Sequence, residues 1–299
     1  MHTNRSKKRE NSQQFDVTVE EELLPFLLEK MNKNSRNSVK SILTRGQVSV
    51  DGRSVTKHNH KLRVGQQVEI LSNKTAMSES MITGLTIVYE DEAIIVIDKE
   101  AGLLSMAAKN KDEKTAFSEV SAYIRNQNPK ERVYIVHRLD RDTSGVLLFA
   151  KSEEVKMKLQ DNWEEMAKER IYTALVEGNV KKDKGTVKSW LKETRTFKVY
   201  SNPTDNGGQL AITHFRKVRH NQRYTLLEIG LETGRKNQIR VHMEEIGHPV
   251  VGDKKYGSTV NPLKRLGLHA TSLTIVHPVT AEVMKFETDI PPAFINKAL

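Results

Sequence analysis

Apolar residues near the start of the chain recur first at helical and then at strand spacing. Leu24, Leu27, Leu28 and Met31 lie three or four residues apart, as on one face of an amphipathic helix. A second stripe at positions 39, 42 and 43 predicts another helix. Val48 and Val50 then alternate before Asp51-Gly52, a pair that favours a tight β-hairpin. Residues 17–71 are therefore predicted to form a small α/β unit of two helices followed by short strands.

From residue 85 onward the pattern changes to repeated apolar strands with few helices. The predicted strands span 86–89, 93–98, 133–136, 145–150, 170–176, 211–218 and 224–232. Helical spacing returns chiefly in 153–168 and 238–246. Strands outnumber helices and many are joined by short turns, which predicts an α+β fold with a mixed, mostly antiparallel sheet.

Two segments show neither the helical nor the strand spacing of apolar residues. Residues 1–16 are polar and basic, which predicts a flexible tail, and residues 72–84 are predicted to be a linker. The 299 residues are enough for about two domains, which we place at 17–71 and 85–299.

Composition narrows the class of function. The chain has no Cys, which excludes disulfides, thiol nucleophiles and Cys-ligated metals. Its longest apolar run, 93–97, is far shorter than the ~20 residues of a membrane span, and we expect a cytoplasmic protein. The formal net charge is +10, and residues 30–63 hold nine Lys or Arg against one acidic residue. This balance favours a polyanionic partner such as nucleic acid.

The segment that bears most on chemistry is the polar loop 137–145, His-Arg-Leu-Asp-Arg-Asp-Thr-Ser-Gly, which lies between two apolar predicted strands. Asp140 has Arg138 and Arg141 as near neighbours, and nearby positive charge favours an ionised carboxylate. An ionised carboxylate suits a nucleophile or a base. The same spacing also fits aspartates that cap turns and pair with arginine at the surface, and periodicity does not separate the two interpretations.

Residues 137–151 closely resemble the signature of the RluA-type pseudouridine synthases. The resemblance continues in the family's order through 168–176, 233–242, 250–257, 265–270 and 277–280, and covers residues 87–291. It implies a pseudouridine synthase fold and an isomerase that converts uridine to pseudouridine in RNA. That isomerisation neither gains nor loses electrons, so no metal or redox cofactor is implied.

The resemblance also implies roles for single residues. Asp140 would be the catalytic aspartate, and Arg240 would salt-bridge and orient it. Tyr172 would stack on the flipped uracil and take part in proton transfer, and Arg138 would fill the space that the uridine leaves. Arg235 and Ile239 are predicted to contact the substrate. From pattern alone, Tyr172 fits a half-buried strand aromatic and Arg240 fits a solvated helix residue.

The N-terminal unit resembles an S4 RNA-binding domain, in which the second helix and the adjoining turn form a basic RNA-facing surface. Arg36, Lys40 and Arg45 match that surface. A solvated basic face is the alternative interpretation.

The chain departs from the family's usual pattern at residues 234–238. These are Gly-Arg-Lys-Asn-Gln, where the family commonly has Gly-Arg-Thr-His-Gln. Family members with an S4 module most often act on large-subunit ribosomal RNA, so a 23S-type rRNA is the predicted substrate, and we expect a monomer. The alternative function is a non-catalytic RNA-binding or ribosome-assembly protein that keeps the architecture. Whether Asp140 attacks the ribose or removes a proton from it is left open.

Overall fold

The computed structural model describes residues 12–31, 39, 42–43, 47–51, 53–55, 58–71, 84–107 and 113–299. The chain divides into two compact units, one formed by Met1–Ile82 with Ser121–Glu131 and the other by Thr83–Val120 with Arg132–Leu299. The division between Ile82 and Thr83 lies within the stretch predicted as a linker. Among the described helices, none has both the length and the apolar character needed to cross a bilayer.

Strands dominate both units. They are β1 (Ser12–Asp16), β2 (Glu21–Glu22), β3 (Val48–Val50), β4 (Arg53–Ser54), β5 (Lys61–Leu62), β6 (Gln67–Leu71), β7 (Leu85–Glu90), β8 (Ile94–Lys99), β9 (Tyr134–Ile135), β10 (Ser144–Ala150), β11 (Ala167–Glu177), β12 (Lys184–Glu193), β13 (Val199–Asn202), β14 (Gln209–His220), β15 (Tyr224–Leu231), β16 (Leu268–Val276) and β17 (Val283–Glu287). The helices are α1 (Leu23–Lys30), α2 (Ala116–Gln127), α3 (Glu153–Asp161), α4 (Trp163–Met166), α5 (Gln238–Glu245) and α6 (Pro292–Lys297), and Lys254–Tyr256 form one 3-10 turn.

The first unit contains a four-stranded antiparallel sheet in the order β1-β6-β3-β4, with β2 and β5 paired separately. The predicted first helix is confirmed as α1, which buries Leu23 and Leu27 completely. The predicted hairpin is also confirmed, since β3 and β4 pair around Asp51, whose φ is 49°. Positions 39, 42 and 43 of the second predicted helix are helical.

The prediction of a flexible tail up to residue 16 is wrong for Ser12–Asp16. These residues form β1, which pairs with β6 more than 50 positions away. Phe15 packs edge-on against Phe26, with ring centroids 6.5 Å apart. A partner strand more than 50 positions away leaves no local periodicity to detect. Residues 1–11 and the predicted RNA contacts Arg36, Lys40 and Arg45 lie outside the described residues.

The second unit is built on an eleven-stranded sheet whose main path is β13-β12-β14-β15-β11-β16-β10-β8-β7, with β17 on β16 and β9 on β10. The β10–β16 pair is parallel, and the other pairs described in this sheet are antiparallel. Every residue of β10 is buried. This arrangement confirms the predicted α+β class with a mixed, mostly antiparallel sheet.

Strand register places the polar loop 137–143 beside the middle of β11. Ala270 of β16 pairs with Tyr172 of β11 on one side and with Gly145 of β10 on the other. Gly145 has a φ of 111°, and a Cβ there would lie 2.1 Å from the carbonyl oxygen of Ala270. Because only glycine permits this approach, Gly145 lets β10 pair with β16 directly after the loop. The loop that carries Asp140 therefore opens next to Tyr172.

The single helix predicted over 153–168 is wrong at its C-terminal end. Helix α3 ends at Asp161, α4 is a separate short turn, and Ala167 already begins β11. Trp163 stacks on His137 with ring centroids 4.9 Å apart, and Ala167 pairs with Ile275 of β16. These tertiary contacts outweigh the helical propensity of the segment.

Candidate active site

The loop around Asp140 is held by buried polar groups on both sides. Ser105 Oγ donates to the carbonyl oxygen of Leu139 at 2.8 Å and accepts from its backbone N–H at 3.0 Å. His137 Nε2 accepts from the backbone N–H of Leu148 at 3.1 Å. Burial lowers the pKa of His137 to about 3, so its ring stays neutral and remains an acceptor. The backbone before Asp140 is thereby fixed.

Lys99 fixes the backbone after Asp140. Its side chain is fully buried, and Nζ donates to the carbonyl oxygens of Glu100, Leu103 and Arg141 at 2.7–3.0 Å. Burial lowers the pKa of Lys99 to about 8, although the nearby carboxylates, Asp142 first, act in the opposite direction. A protonated amine has three N–H groups, which match the three carbonyls.

Asp140 is bound by an arginine from a distant helix. Arg240 on α5 donates from Nη1 to Asp140 Oδ2 at 3.1 Å. Its Nε and Nη2 donate to the two carboxylate oxygens of Asp253 at 2.6 and 2.8 Å. Burial alone lowers the pKa of Arg240, but the hydrogen bonds and charges of Asp253 and Asp140 outweigh burial and raise it above its ordinary value. Arg240 is therefore a permanent cation whose orientation Asp253 sets.

A second donor reaches the same carboxylate. Asn237 Nδ2 donates to Asp140 Oδ2 at 2.6 Å. Tyr256 Oη donates to the other end of the Asn237 amide, Oδ1, at 3.1 Å. The ring of Tyr256 is buried, and the Arg240 guanidinium carbon lies 5.0 Å from its centroid. Tyr256 therefore supports both of the groups that bind Asp140.

A buried hydrogen-bond network anchors the start of α5. Gln238 Oε1 accepts from Thr233 Oγ1 and from the backbone N–H of Arg235, while its Nε2 donates to Thr213 Oγ1. His242 bridges Thr213 Oγ1 at 2.8 Å and Ser189 Oγ at 3.0 Å. Burial lowers the pKa of His242 to about 4, so a neutral ring joins the helix to β12 and β14. This network fixes the position from which Arg240 reaches Asp140.

Tyr172 and a group of apolar side chains form the floor beside Asp140. The part of the cleft nearest the carboxylate is lined by Arg138, Leu139, Asp140, Tyr172, Leu231, Ile239, Leu268 and neighbouring polar residues. Ile239 is otherwise buried in the core. Burial raises the pKa of Tyr172 to about 12, with Arg170 opposing this shift and Asp140 adding to it. The phenol therefore keeps its proton at neutral pH.

A basic cleft of about 690 Å³ adjoins this part and shares Asp140, Asn237 and Arg240 with it. Its cationic side chains are Arg141, Lys236, Arg240, Lys254, Lys255, Lys264 and Arg265, against the acidic Asp140, Asp142 and Asp253. The excess of positive charge suits a polyanion. Together with the apolar floor, this cleft offers surfaces for a flat ring and for phosphates next to one carboxylate.

A family model described as RNA pseudouridylate synthase matches residues 93–245, just over half of the chain. The "Uncharacterized RNA pseudouridine synthase YlyB" of Bacillus subtilis is 35% identical over 295 residues, and the alignment covers 93% of this chain and 95% of that protein. The "Ribosomal large subunit pseudouridine synthase D" of Pseudomonas aeruginosa is 32% identical, with 88% of this chain and 86% of the relative covered. The chain belongs to the RNA pseudouridylate synthase family.

A solved structure supports the same fold. "Human RNA Pseudouridylate Synthase Domain Containing 4" superposes with a TM-score of 0.59 at 20% identity, covering 70% of this chain and 90% of the human chain. The family model and the relatives confirm the resemblance to pseudouridine synthases, and the chain is an RNA pseudouridine synthase. Family membership favours an isomerase over the non-catalytic RNA-binding alternative.

The synthase brings its predicted site residues together from three separate segments. Asp140, Tyr172, Ile239 and Arg240 all line the cleft, with Arg138 exposed at its edge. Arg235 also lines the cleft, but its Nε is bound to the carbonyl oxygen of Leu210 at 3.0 Å. Part of the Arg235 guanidinium is therefore bound to the backbone of β14.

The contact between Arg240 and Asp140 that the resemblance implied is present at 3.1 Å, but the sequence neighbour Arg141 does not pair with Asp140. Arg141 pairs with Asp142 at 3.1 Å, and both side chains are exposed. The surface-pairing alternative therefore describes Asp142, whereas Asp140 is bound by Arg240 and Asn237 about 100 residues away. Neighbours in sequence point to different sides of a loop, so adjacency along the chain did not identify the partner.

Sequence reasoning assigned no role to Lys99, Ser105, Asn237, Asp253 or Tyr256. Asn237, Asp253 and Tyr256 lie in segments that carried the family resemblance. The family motif at 250–257 includes Asp253 and Tyr256, but it does not indicate which atoms they contact. Their roles follow from the fold, because it brings the 3-10 turn against the first turn of α5.

Proposed function

We propose that this synthase isomerises uridine to pseudouridine in large-subunit ribosomal RNA, with Asp140 as its catalytic carboxylate. One observation carries the assignment of Asp140. This carboxylate, 28% exposed, lies where the apolar floor meets the basic cleft, and the largely buried guanidinium of Arg240 binds it. A ribose at that junction would place its base on the floor and its phosphates in the basic cleft.

The reaction conserves all atoms. The N1–C1′ bond of uridine breaks, a C5–C1′ bond forms, C5 loses a proton and N1 gains one. An ionised carboxylate beside the ribose serves this chemistry either by attack on the sugar or by removal of a sugar proton. Arg240 keeps a fixed positive charge next to Asp140 throughout, because its raised pKa prevents proton loss.

Tyr172 and Arg138 suit the flipping of the target nucleotide. Taking a base out of its stack costs a few kcal/mol, which a new stacking surface and a group that fills the gap offset. Tyr172 supplies an aromatic face on the floor beside Ile239. Arg138 is exposed at the edge of the cleft, where its guanidinium could enter the space left in the RNA.

The names of two relatives support the choice of RNA. The similar proteins from Pseudomonas aeruginosa and Escherichia coli are both named ribosomal large subunit pseudouridine synthase D. The basic cleft supplies several phosphate contacts, so binding should weaken steeply with salt. We further propose that residues 17–71 act as an S4-like module that adds RNA contacts through Arg36, Lys40 and Arg45, and that the enzyme works as a cytoplasmic monomer.

The test is pseudouridine formation on large-subunit rRNA transcribed in vitro, which starts without the modification. Asp140→Asn keeps the size of the side chain but removes its charge, so we expect loss of detectable product with RNA affinity unchanged within about twofold. Asp142→Asn is the matched control, because Asp142 is an exposed partner of Arg141, and it should retain activity. Near-normal turnover by Asp140→Asn would refute the role of Asp140. A wild-type enzyme that modifies only other classes of RNA would refute the substrate.

A further inference from the structure

Both donors to Asp140 bind the same oxygen. Asn237 Nδ2 and Arg240 Nη1 lie 2.6 and 3.1 Å from Oδ2, and within the part of the chain that the structure describes no side chain or backbone group donates to Oδ1. We infer that Asn237 is a positioning residue that, together with Arg240, holds Oδ2 and leaves Oδ1 as the oxygen that acts on the ribose. This inference rests on the proposed catalytic role of Asp140.

The orientation of the Asn237 amide is dictated by its neighbours. The backbone N–H of Val199 donates to Tyr256 Oη at 3.1 Å, so the single hydroxyl proton of Tyr256 is free for Asn237 Oδ1. With Oδ1 engaged as an acceptor, Nδ2 must face Asp140. An ionised carboxylate accepts hydrogen bonds and donates none, so the opposite amide orientation would break the contact with Asp140.

The backbone explains why asparagine suits this position. Residue 237 has a φ of 54° and a ψ of 19°, directly before α5, and its side chain does not cap the helix. Asparagine adopts this left-handed conformation more readily than most residues. Its amide also offers a donor and an acceptor at once. The side chain is thereby released from helix capping and spans the gap between Tyr256 and Asp140.

A neutral donor has a specific electrostatic effect here. The cluster of Asp140, Asp253 and Arg240 contains two negative charges and one positive charge. A second cation in place of the amide would change the charge of this cluster. Asn237 instead restrains rotation of the carboxylate through a charge-assisted hydrogen bond without adding charge, and it leaves Oδ1 unbound.

The experiment uses the full-length enzyme and in vitro transcribed large-subunit rRNA. Asn237→Gly deletes the amide but keeps a residue that tolerates the left-handed backbone. We expect kcat to fall about 10- to 100-fold, the range for a hydrogen bond to a charged group, with little change in KM. Asn221→Gly makes the same substitution at a turn where the amide binds the carbonyl oxygens of Lys297 and Leu299, and should leave kcat unchanged. Equal kcat for Asn237→Gly and the parent would overturn the inference.

Asn237→Asp gives a readout that loss of packing would not reproduce. It places a second carboxyl group at hydrogen-bonding distance from Asp140, and two such groups cannot both be ionised at low cost. The new side chain donates only when protonated, so the ratio of its kcat to that of the parent should rise as the pH falls. A ratio that is independent of pH would contradict the donor role.

A mutant cycle separates this inference from the proposed function. Tyr256→Phe should lower kcat in the parent but have no further effect in the Asn237→Gly background, because the hydroxyl acts through that amide. Additive effects would overturn the inference. In parallel, urea unfolding of the Asn237→Gly, Asp140→Ala and double variants measures the coupling between the two side chains without RNA. If the wild type leaves this rRNA unmodified, the proposed function fails. The unfolding cycle still tests the contact between Asn237 and Asp140, and a coupling free energy of zero would contradict it.

Discussion

Arg240 contacts both the buried Asp253 and the proposed catalytic Asp140, and substitution should separate the effects of the two contacts. Its guanidinium makes two hydrogen bonds to Asp253, whose side chain is 1% exposed, and one to Asp140. Arg240→Met keeps much of the volume but leaves the Asp253 carboxylate buried without a counter-charge. Removal of one partner of a buried ion pair costs about 3–5 kcal/mol. Asp253 retains the backbone N–H of Tyr256, so we expect the lower end of that range, a fall in Tm of about 6–12 °C.

The double variant Arg240→Met/Asp253→Asn removes the stranded charge, while the amide oxygen still accepts from Tyr256. We expect thermal unfolding, followed by circular dichroism, to show that much of the lost Tm returns. Pseudouridine formation should stay depressed by about 100-fold or more, because Asp140 still lacks its cationic donor. Arg216→Met removes an exposed pair with Glu228 and serves as the control, with little change in either assay. The reasoning is refuted if the single variant melts with the parent, or if activity returns together with stability in the double variant.

Three further predictions test the electrostatics and the backbone of the site. Because the pKa of Tyr172 is raised to about 12, Tyr172→Phe should lower kcat without altering the pH-rate profile between about pH 6 and 9; disappearance of a basic limb in the variant would argue against a protonated phenol. The pKa of His242 is lowered to about 4 in the folded protein. Between pH ~6.5 and 4 this histidine is therefore protonated in the unfolded chain but neutral in the folded chain. The free energy of unfolding should fall by up to about 3 kcal/mol as the pH drops towards 4. His242→Gln should flatten that dependence in urea unfolding, and an unchanged slope would count against it. Gly145→Ala should destabilise the enzyme by more than about 3 kcal/mol through its clash with Ala270, whereas Gly247→Ala, also at positive φ but with nothing within 4 Å, should cost only about 1 kcal/mol; similar melting temperatures for the two variants would contradict this.

The spacing of apolar residues correctly predicted those helices and strands whose buried face can be recognised within the segment itself. The stripe through Leu24 and Leu27 became α1, and the run at 93–98 became the buried strand β8. It failed where a distant partner decides the conformation. Ala167 lies in a helical pattern but pairs with β16, and Phe15 lies in a polar segment but packs on the core of the first unit.

Motif order and hydrophobic period are properties of the linear chain, so the amino-acid sequence was sufficient to predict the family, the fold class and the cleft residues Asp140, Tyr172 and Arg240. The pairing of Arg240 with Asp140 was already implied by the family resemblance. The Arg141–Asp142 pair and Asn237 as the second donor to Asp140 could be found only in the folded chain. Hydrogen bonds act over about 3 Å, and such distances between residues 100 positions apart are set by strand register and by the anchoring of α5.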